Sequence, residues 1–304
     1  MRVPSERSGD DVLEQLSEIW PNAAPARVQP VFEDLRTALR VPDIPFPFRF
    51  LAHWPPYLAF AVRQFSPFIR SLAFEAAADA LRARAATSIG SLPRSDRLAA
   101  ARALILREHE LAPKIVLILT AFAVGLRGRS SESAPPLGTT LPAQEPLAVR
   151  PAELPRTVDE RIAPLPDLST ALESERVLLA DLAALRGSPA LDDFSRALAI
   201  SEPAAFAELL ALRRSIQADR LAQGRSELLA QAERAIRRFT LPGSKVLPDF
   251  MVPEHTLAAI DAVVDRLRTI ALEALLDVTL ARVALDGLDA ASSAPYPVHV
   301  AVDQ

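Results

Sequence analysis

Two loops carry the acids whose setting could support chemistry. The first reads Arg40-Val41-Pro42-Asp43-Ile44-Pro45-Phe46-Pro47-Phe48, and the second reads Arg186-Gly187-Ser188-Pro189-Ala190-Leu191-Asp192-Asp193-Phe194. Each follows a helical stretch, is rich in proline and phenylalanine, and bears carboxylate. If the loops meet across an apolar cleft, burial is expected to raise the pKa of an acid there and make it a general base toward water. The competing use is structural, because Asp192 or Asp193 also suits the N-cap of a helix starting near Phe194. Spacing leaves both uses open.

Other chemistry is excluded or thinly supported. The absence of cysteine removes disulfides, thiolate nucleophiles, Cys-ligated zinc and iron–sulfur clusters. His53, His109, His255 and His299 never form the i, i+4 pair of a helical metal site. Glu108-His109-Glu110 could hold a metal or a proton, but a charged triplet near a helix end is ordinarily solvated. Glycine-rich phosphate loops, nucleophile elbows and Walker patterns are missing.

The elements that must position these loops are helices. Alanine and leucine dominate, lysine occurs only at Lys114 and Lys245, and aromatic residues make up 6% of the chain. Strong helix formers are therefore abundant and strand formers sparse, which predicts an all-α protein. Helical periodicity runs from Asp10 to Trp20, from Val31 to Val41, through 57–90, from Asp96 to Glu110 and from Lys114 to Leu126. Eight prolines then fall between Arg127 and Leu168, a composition that suits an extended, semi-rigid connector.

Beyond the connector the first half is echoed. Ala38-Leu39-Arg40 and Pro42 return as Ala184-Leu185-Arg186 and Pro189. Leu51-Ala52 and Pro56 return as Leu198-Ala199 and Pro203, and Leu92-Pro93 as Leu241-Pro242. The offsets stay between 146 and 149 residues, with an insertion expected near Gly243 to Pro253. The expected organisation is an N-terminal helical extension (1–26), a first helical repeat (27–128), a proline-rich linker (129–168) and a second repeat (169–298).

A net charge of −4 provides no field for nucleic acid or an anionic membrane. The longest apolar run, Ile115 to Leu126, falls short of the roughly twenty residues that span a bilayer and reads as a buried core helix. The N-terminus has no signal-peptide pattern, so a cytoplasmic protein is expected.

Several runs resemble the group I D,L-2-haloacid dehalogenases. In the first half they are Arg40-Val41-Pro42, Phe46, Arg49 with Leu51-Ala52, Pro56-Tyr57-Leu58, Ile89-Gly90-Ser91-Leu92-Pro93, and Pro113-Lys114 with Leu117, Thr120 and Ala121. Leu285-Asp286-Gly287, Ala290-Ala291-Ser292 and Pro295-Tyr296-Pro297 match the family's C-terminal signature. The resemblance implies an all-α tandem repeat, a homodimer, and no cofactor or metal. It implies a small carboxylic-acid substrate whose halide is displaced from Cα by water, with inversion and no ester. By the same resemblance Asp193, before Phe194, is the base, with Asp192 as the alternative. Phe46 keeps its place in the pocket wall. Ala112 stands where the family has a water-holding asparagine, Asp43 where it has a tryptophan, and Ile115 where it has a tyrosine. Asp43, as the pseudo-symmetric counterpart of the Asp193 loop, is expected to act as a second carboxylate. The rival reading is a diverged relative that has changed its chemistry or only binds a small acid.

Overall fold

The helix-forming composition is realised throughout the described residues of the computed structural model, 9–127, 154–169, 175–239 and 254–298, which contain helices and no strand. After a short α1 (Gly9–Leu13) come α2 (Gln29–Leu39), α3 (Phe46–Leu51), α4 (Pro55–Ile69), α5 (Leu72–Ile89) and α6 (Arg102–Leu126). The later run is α7 (Arg176–Arg186), α8 (Asp193–Ser201), α9 (Pro203–Ser215), α10 (Ala218–Ile236), α11 (Glu254–Asp286) and the short α12 (Leu288–Ala291).

The two runs share local grammar. α2 and α7 each span 11 residues and end on a left-handed residue, Arg40 at φ 58° and Gly187 at φ 63°. α4 and α9 both begin with proline, whose missing N–H is one of the donors a helix start leaves unpaired anyway. α6 and α11 form the most extensive helix pair in the molecule. Val116 and Leu119 of α6 and Leu275 and Val278 of α11 are wholly buried. α6 is long and apolar enough to cross a membrane by length and composition, yet most of it is buried as a core helix.

The break expected between Glu110 and Lys114 is absent. α6 continues through Pro113, which lacks the N–H that should reach the carbonyl of His109. Arg82 of α5 supplies that donor, its Nε bonding the His109 carbonyl at 3.1 Å while Nη2 reaches that of Glu110 at 3.4 Å. The guanidinium is fully buried and also faces Glu110 Oε2 at 3.5 Å. Arg82→Met is therefore expected to cost about 2 kcal/mol, because it leaves the buried His109 carbonyl without a donor and Glu110 with Lys114 as its remaining cation. Urea unfolding followed by circular dichroism measures this loss.

The described part of the connector, 154–169, has neither helix nor strand and lies over the loop after α2. Asp159 N bonds the Arg40 carbonyl at 3.1 Å, and Leu165 N bonds Asp43 Oδ2 at 2.9 Å. Leu154, Ile162 and Leu168 are buried beneath it. The remaining linker residues and the expected insertion at Gly243 to Pro253 lie outside the described residues.

Candidate active site

The two acid-bearing loops do meet. Phe46 is the first residue of α3 and Asp193 the first of α8, and the Phe46 N–H donates to Asp193 Oδ2 at 2.9 Å. Beside this contact is a hollow lined by Phe46, Glu108, Ala112, Ile115 and Asp193, with Asp192 also at its edge. Ala271 and Ala274 of α11 close the far side. The space open to a water's centre is about 20 Å³, which holds about one water molecule. Four of the expected site residues, Phe46, Ala112, Ile115 and Asp193, thus share one wall system, with Asp192 beside them.

Asp193 departs from expectation in its electrostatics. Burial works to raise its pKa, but the Arg49 and Arg196 guanidinia hold the carboxyl below the usual carboxylate range. Nη2 of Arg49 donates to Oδ1, joined there by Nη2 of Arg196 at 3.1 Å. Nη1 of Arg49 approaches Oδ2 at 3.4 Å, alongside the Phe46 amide. Each carboxylate oxygen therefore already accepts two donors, close to its full capacity. The expectation of a raised pKa fails because a carboxylate desolvated against two cations is better off charged.

The N-terminal extension completes this cluster. Glu18 binds Arg196 through both oxygens at 2.8 Å and Arg49 at 3.2 Å, while the Trp20 ring lies 4.3 Å from the Arg49 guanidinium carbon. Two acids and two arginines balance. A sequence search for catalytic acids had no reason to select Glu18 or Trp20, which are far from either loop along the chain.

Asp192 takes the structural use weighed for it. Its Oδ1 accepts the Ser195 N–H at 2.8 Å as the N-cap of α8, and Oδ2 pairs with Arg186 Nη1 at 2.5 Å. Arg186 continues to Asp277 at 2.7 Å, and Arg213 and Arg225 extend the buried network to Glu273. Asp43 is also a correction. It does not line the hollow, because its Oδ2 is held by Leu165 N and lies 3.4 Å from Arg107 Nη1, which ties the connector down instead. The Phe46 amide at the start of α3 and the Ser195 amide in the first turn of α8 are likewise engaged, by Asp193 and Asp192.

The Glu108-His109-Glu110 triplet, expected to be solvated, is buried throughout because the continuous α6 carries it into the core. His109 is held neutral by burial and by the nearby Arg82 and Arg282. Glu110 pairs with Lys114 at 2.7 Å. Glu108 faces the hollow, and its Oε1 lies 3.2 Å from Arg107 Nε without the alignment of a hydrogen bond. Desolvation, opposed in part by Arg107, pushes its carboxyl up to about 7. No group of three His, Asp or Glu side chains among the described residues could hold a metal ion.

The arrangement is that of an all-α protein with two buried carboxylates of opposite tuning facing one small apolar hollow. Comparison with known proteins supplies the family. No family model matches the sequence. The chain is 30% identical to a configuration-inverting 2-haloacid dehalogenase of Alcaligenes xylosoxydans xylosoxydans, over 89% of this chain and 94% of that protein. It belongs to the family of configuration-inverting 2-haloacid dehalogenases. Solved structures share its fold. One is a D-2-haloacid dehalogenase mutant in complex with D-2-CPA, with a TM-score of 0.68 at 20% identity over 88% of this chain and 95% of that one. Another is a D-2-haloacid dehalogenase in complex with L-LA, with a TM-score of 0.68 at 17% identity over 93% and 98% of the two chains.

Proposed function

We propose that this chain is a hydrolase of small 2-haloalkanoates, in which water displaces halide from Cα with inversion and no ester forms on the protein. The observation that carries this reading is the meeting of Asp193, Phe46, Ala112 and Ile115 at one hollow, in a chain that belongs to a family of inverting dehalogenases. Direct displacement needs a water held in line with the carbon–halogen bond and negative charge to favour its deprotonation. Asp193 supplies that charge at every pH near neutrality, since its arginines keep it ionised. The same partners keep it from swinging onto carbon as a nucleophile, which favours attack by water. The two helix runs that meet here are read as the paired repeats, and the working unit as a homodimer. Light scattering distinguishes a mass of 32.9 kDa from twice that value.

Each enantiomer of 2-chloropropionate is to be incubated with the protein, with halide release and the configuration of the lactate followed together. Inverted lactate is expected. A single turnover in ¹⁸O water, with enzyme in excess, is expected to place the label in the product at once. Retention of configuration, or label absent from the first turnover, defeats direct displacement. A second reading, a relative that binds a small carboxylic acid without turnover, is favoured by Ala112, which cannot hold a water by hydrogen bonding. Saturable binding without halide release, and release appearing in Ala112→Asn, is its signature.

A further inference from the structure

The hydrolytic reading leaves open where the water's proton goes, and the carboxylate first suited to the task is poorly placed to take it. Asp193 already accepts two donors on each oxygen, from Arg49, Arg196 and the Phe46 amide. A base must offer a free lone pair and gain from protonation. Asp193 would lose a buried ion pair instead.

Glu108 has the opposite surroundings. It lines the same hollow, is only 8% exposed, and Oε1 accepts no hydrogen bond among the described residues. On its own helix it faces Arg107, on the loop before α3 Asp43, and at the start of α8 Asp192 and Asp193. The α11 side of the hollow presents only Ala271 and Ala274. Asp192 is neutralised by Arg186, and Asp193 by Arg49 and Arg196. Arg107 is then a single cation shared between two acids, Asp43 at 3.4 Å and Glu108 at 3.2 Å. Charge balances when Glu108 carries a proton. It also sits one helical turn before Ala112, on the face of α6 that the hollow exposes.

We propose that Glu108 is the catalytic base, accepting the proton of the attacking water while Asp193 remains ionised as a fixed negative charge beside it. This rests on the dehalogenase reading above. The oxygen of water forms its bond to Cα as the carbon–halogen bond breaks. The halide leaves with the bonding electron pair, one water proton goes to the Glu108 carboxylate, and the other stays on the product hydroxyl. Glu108 then returns its proton to solvent. Two acids at one site, driven apart in acidity by their neighbours, divide the roles of fixed charge and proton acceptor.

The test is the pH dependence of halide release from 2-chloropropionate by wild type, Glu108→Gln, Glu108→Asp and Asp193→Asn. Wild-type kcat is expected to rise with pH through an inflection near neutrality, as Glu108 becomes free to accept a proton. Glu108→Gln is expected to lower kcat by ~10²-fold or more, with KM nearly unchanged and the inflection gone. Glu108→Asp should recover part of the rate with a displaced inflection, and any residual activity of Asp193→Asn should keep the neutral inflection. Infrared titration of folded wild type gives a readout without turnover, a protonated-carboxyl band that disappears near neutral pH. Glu108→Gln at full rate with the inflection intact overturns the assignment alone. So does the lack of a neutral carboxyl titration, which decides the matter if the variant does not fold. Wild type without halide release overturns the dehalogenase reading, and the assignment falls with it.

Discussion

Asp193→Asn is expected to destabilise the fold by about 3 kcal/mol at pH 7, together with its loss of activity. The carboxylate is buried between Arg49 and Arg196, and removing its charge leaves two guanidinia to share Glu18. Breaking one partner out of a buried ion-pair cluster costs about 3–5 kcal/mol, and the remaining acid places this case at the low end. The pH dependence has a definite sign. The native pKa of Asp193 lies below its ordinary value of 3.8, so its contribution is complete above that value. It is lost as pH falls through the native pKa, because both states then bind the proton. The gap between wild type and variant should therefore close in acid. Thermal melts of both proteins at several pH values measure this, and a gap unchanged down to strong acid would show that the charge is not what Asp193 contributes.

Glu108→Gln is expected to act in the opposite direction on stability while also reducing turnover. Its carboxyl is held near 7 in the folded protein against an ordinary value of 4.5. Between these values the unfolded chain ionises while the native protein stays protonated, so wild-type stability declines with rising pH and the full cost is present above about 7. Each unit of difference is worth about 1.4 kcal/mol, so the neutral amide should stabilise the protein by about 3 kcal/mol at pH 8 and by nothing measurable at pH 4. A rise in melting temperature that grows as pH climbs from 4.5 and is complete above about 7, paired with lost halide release, is the behaviour of a site kept poised at the expense of stability. Equal stability of wild type and variant at pH 8 contradicts it. The two acids thus separate cleanly, as one variant is weaker and the other stronger, and both are slow.

Much of the architecture was legible before any coordinates. Alanine, leucine and arginine in 3.6-residue periodicity name a helical protein because their side chains lose little freedom in a helix and cover one face with apolar surface. Pro42 and Pro189 end helices because the ring leaves the preceding backbone little access to helical angles. Pro113 shows the limit of that rule. Whether a proline stops a helix depends on whether the orphaned carbonyl finds another donor, and Arg82 comes from a different helix. Asp193 and Phe46 could be selected because their loops share composition and because the family resemblance marks those positions.

Residue types and their order were enough to establish the helical class, the acids worth examining and the apolar residues beside them. Only the tertiary structure decided what those acids are. Burial works to raise a carboxyl near the hollow, yet Arg49 and Arg196 keep Asp193 ionised, Arg186 pairs with Asp192, and Arg107 is divided between Asp43 and Glu108. A pKa is set by the charges within a few ångströms, and Arg49, Glu18 and Asp43 reach theirs from distant parts of the chain that local spacing cannot bring together.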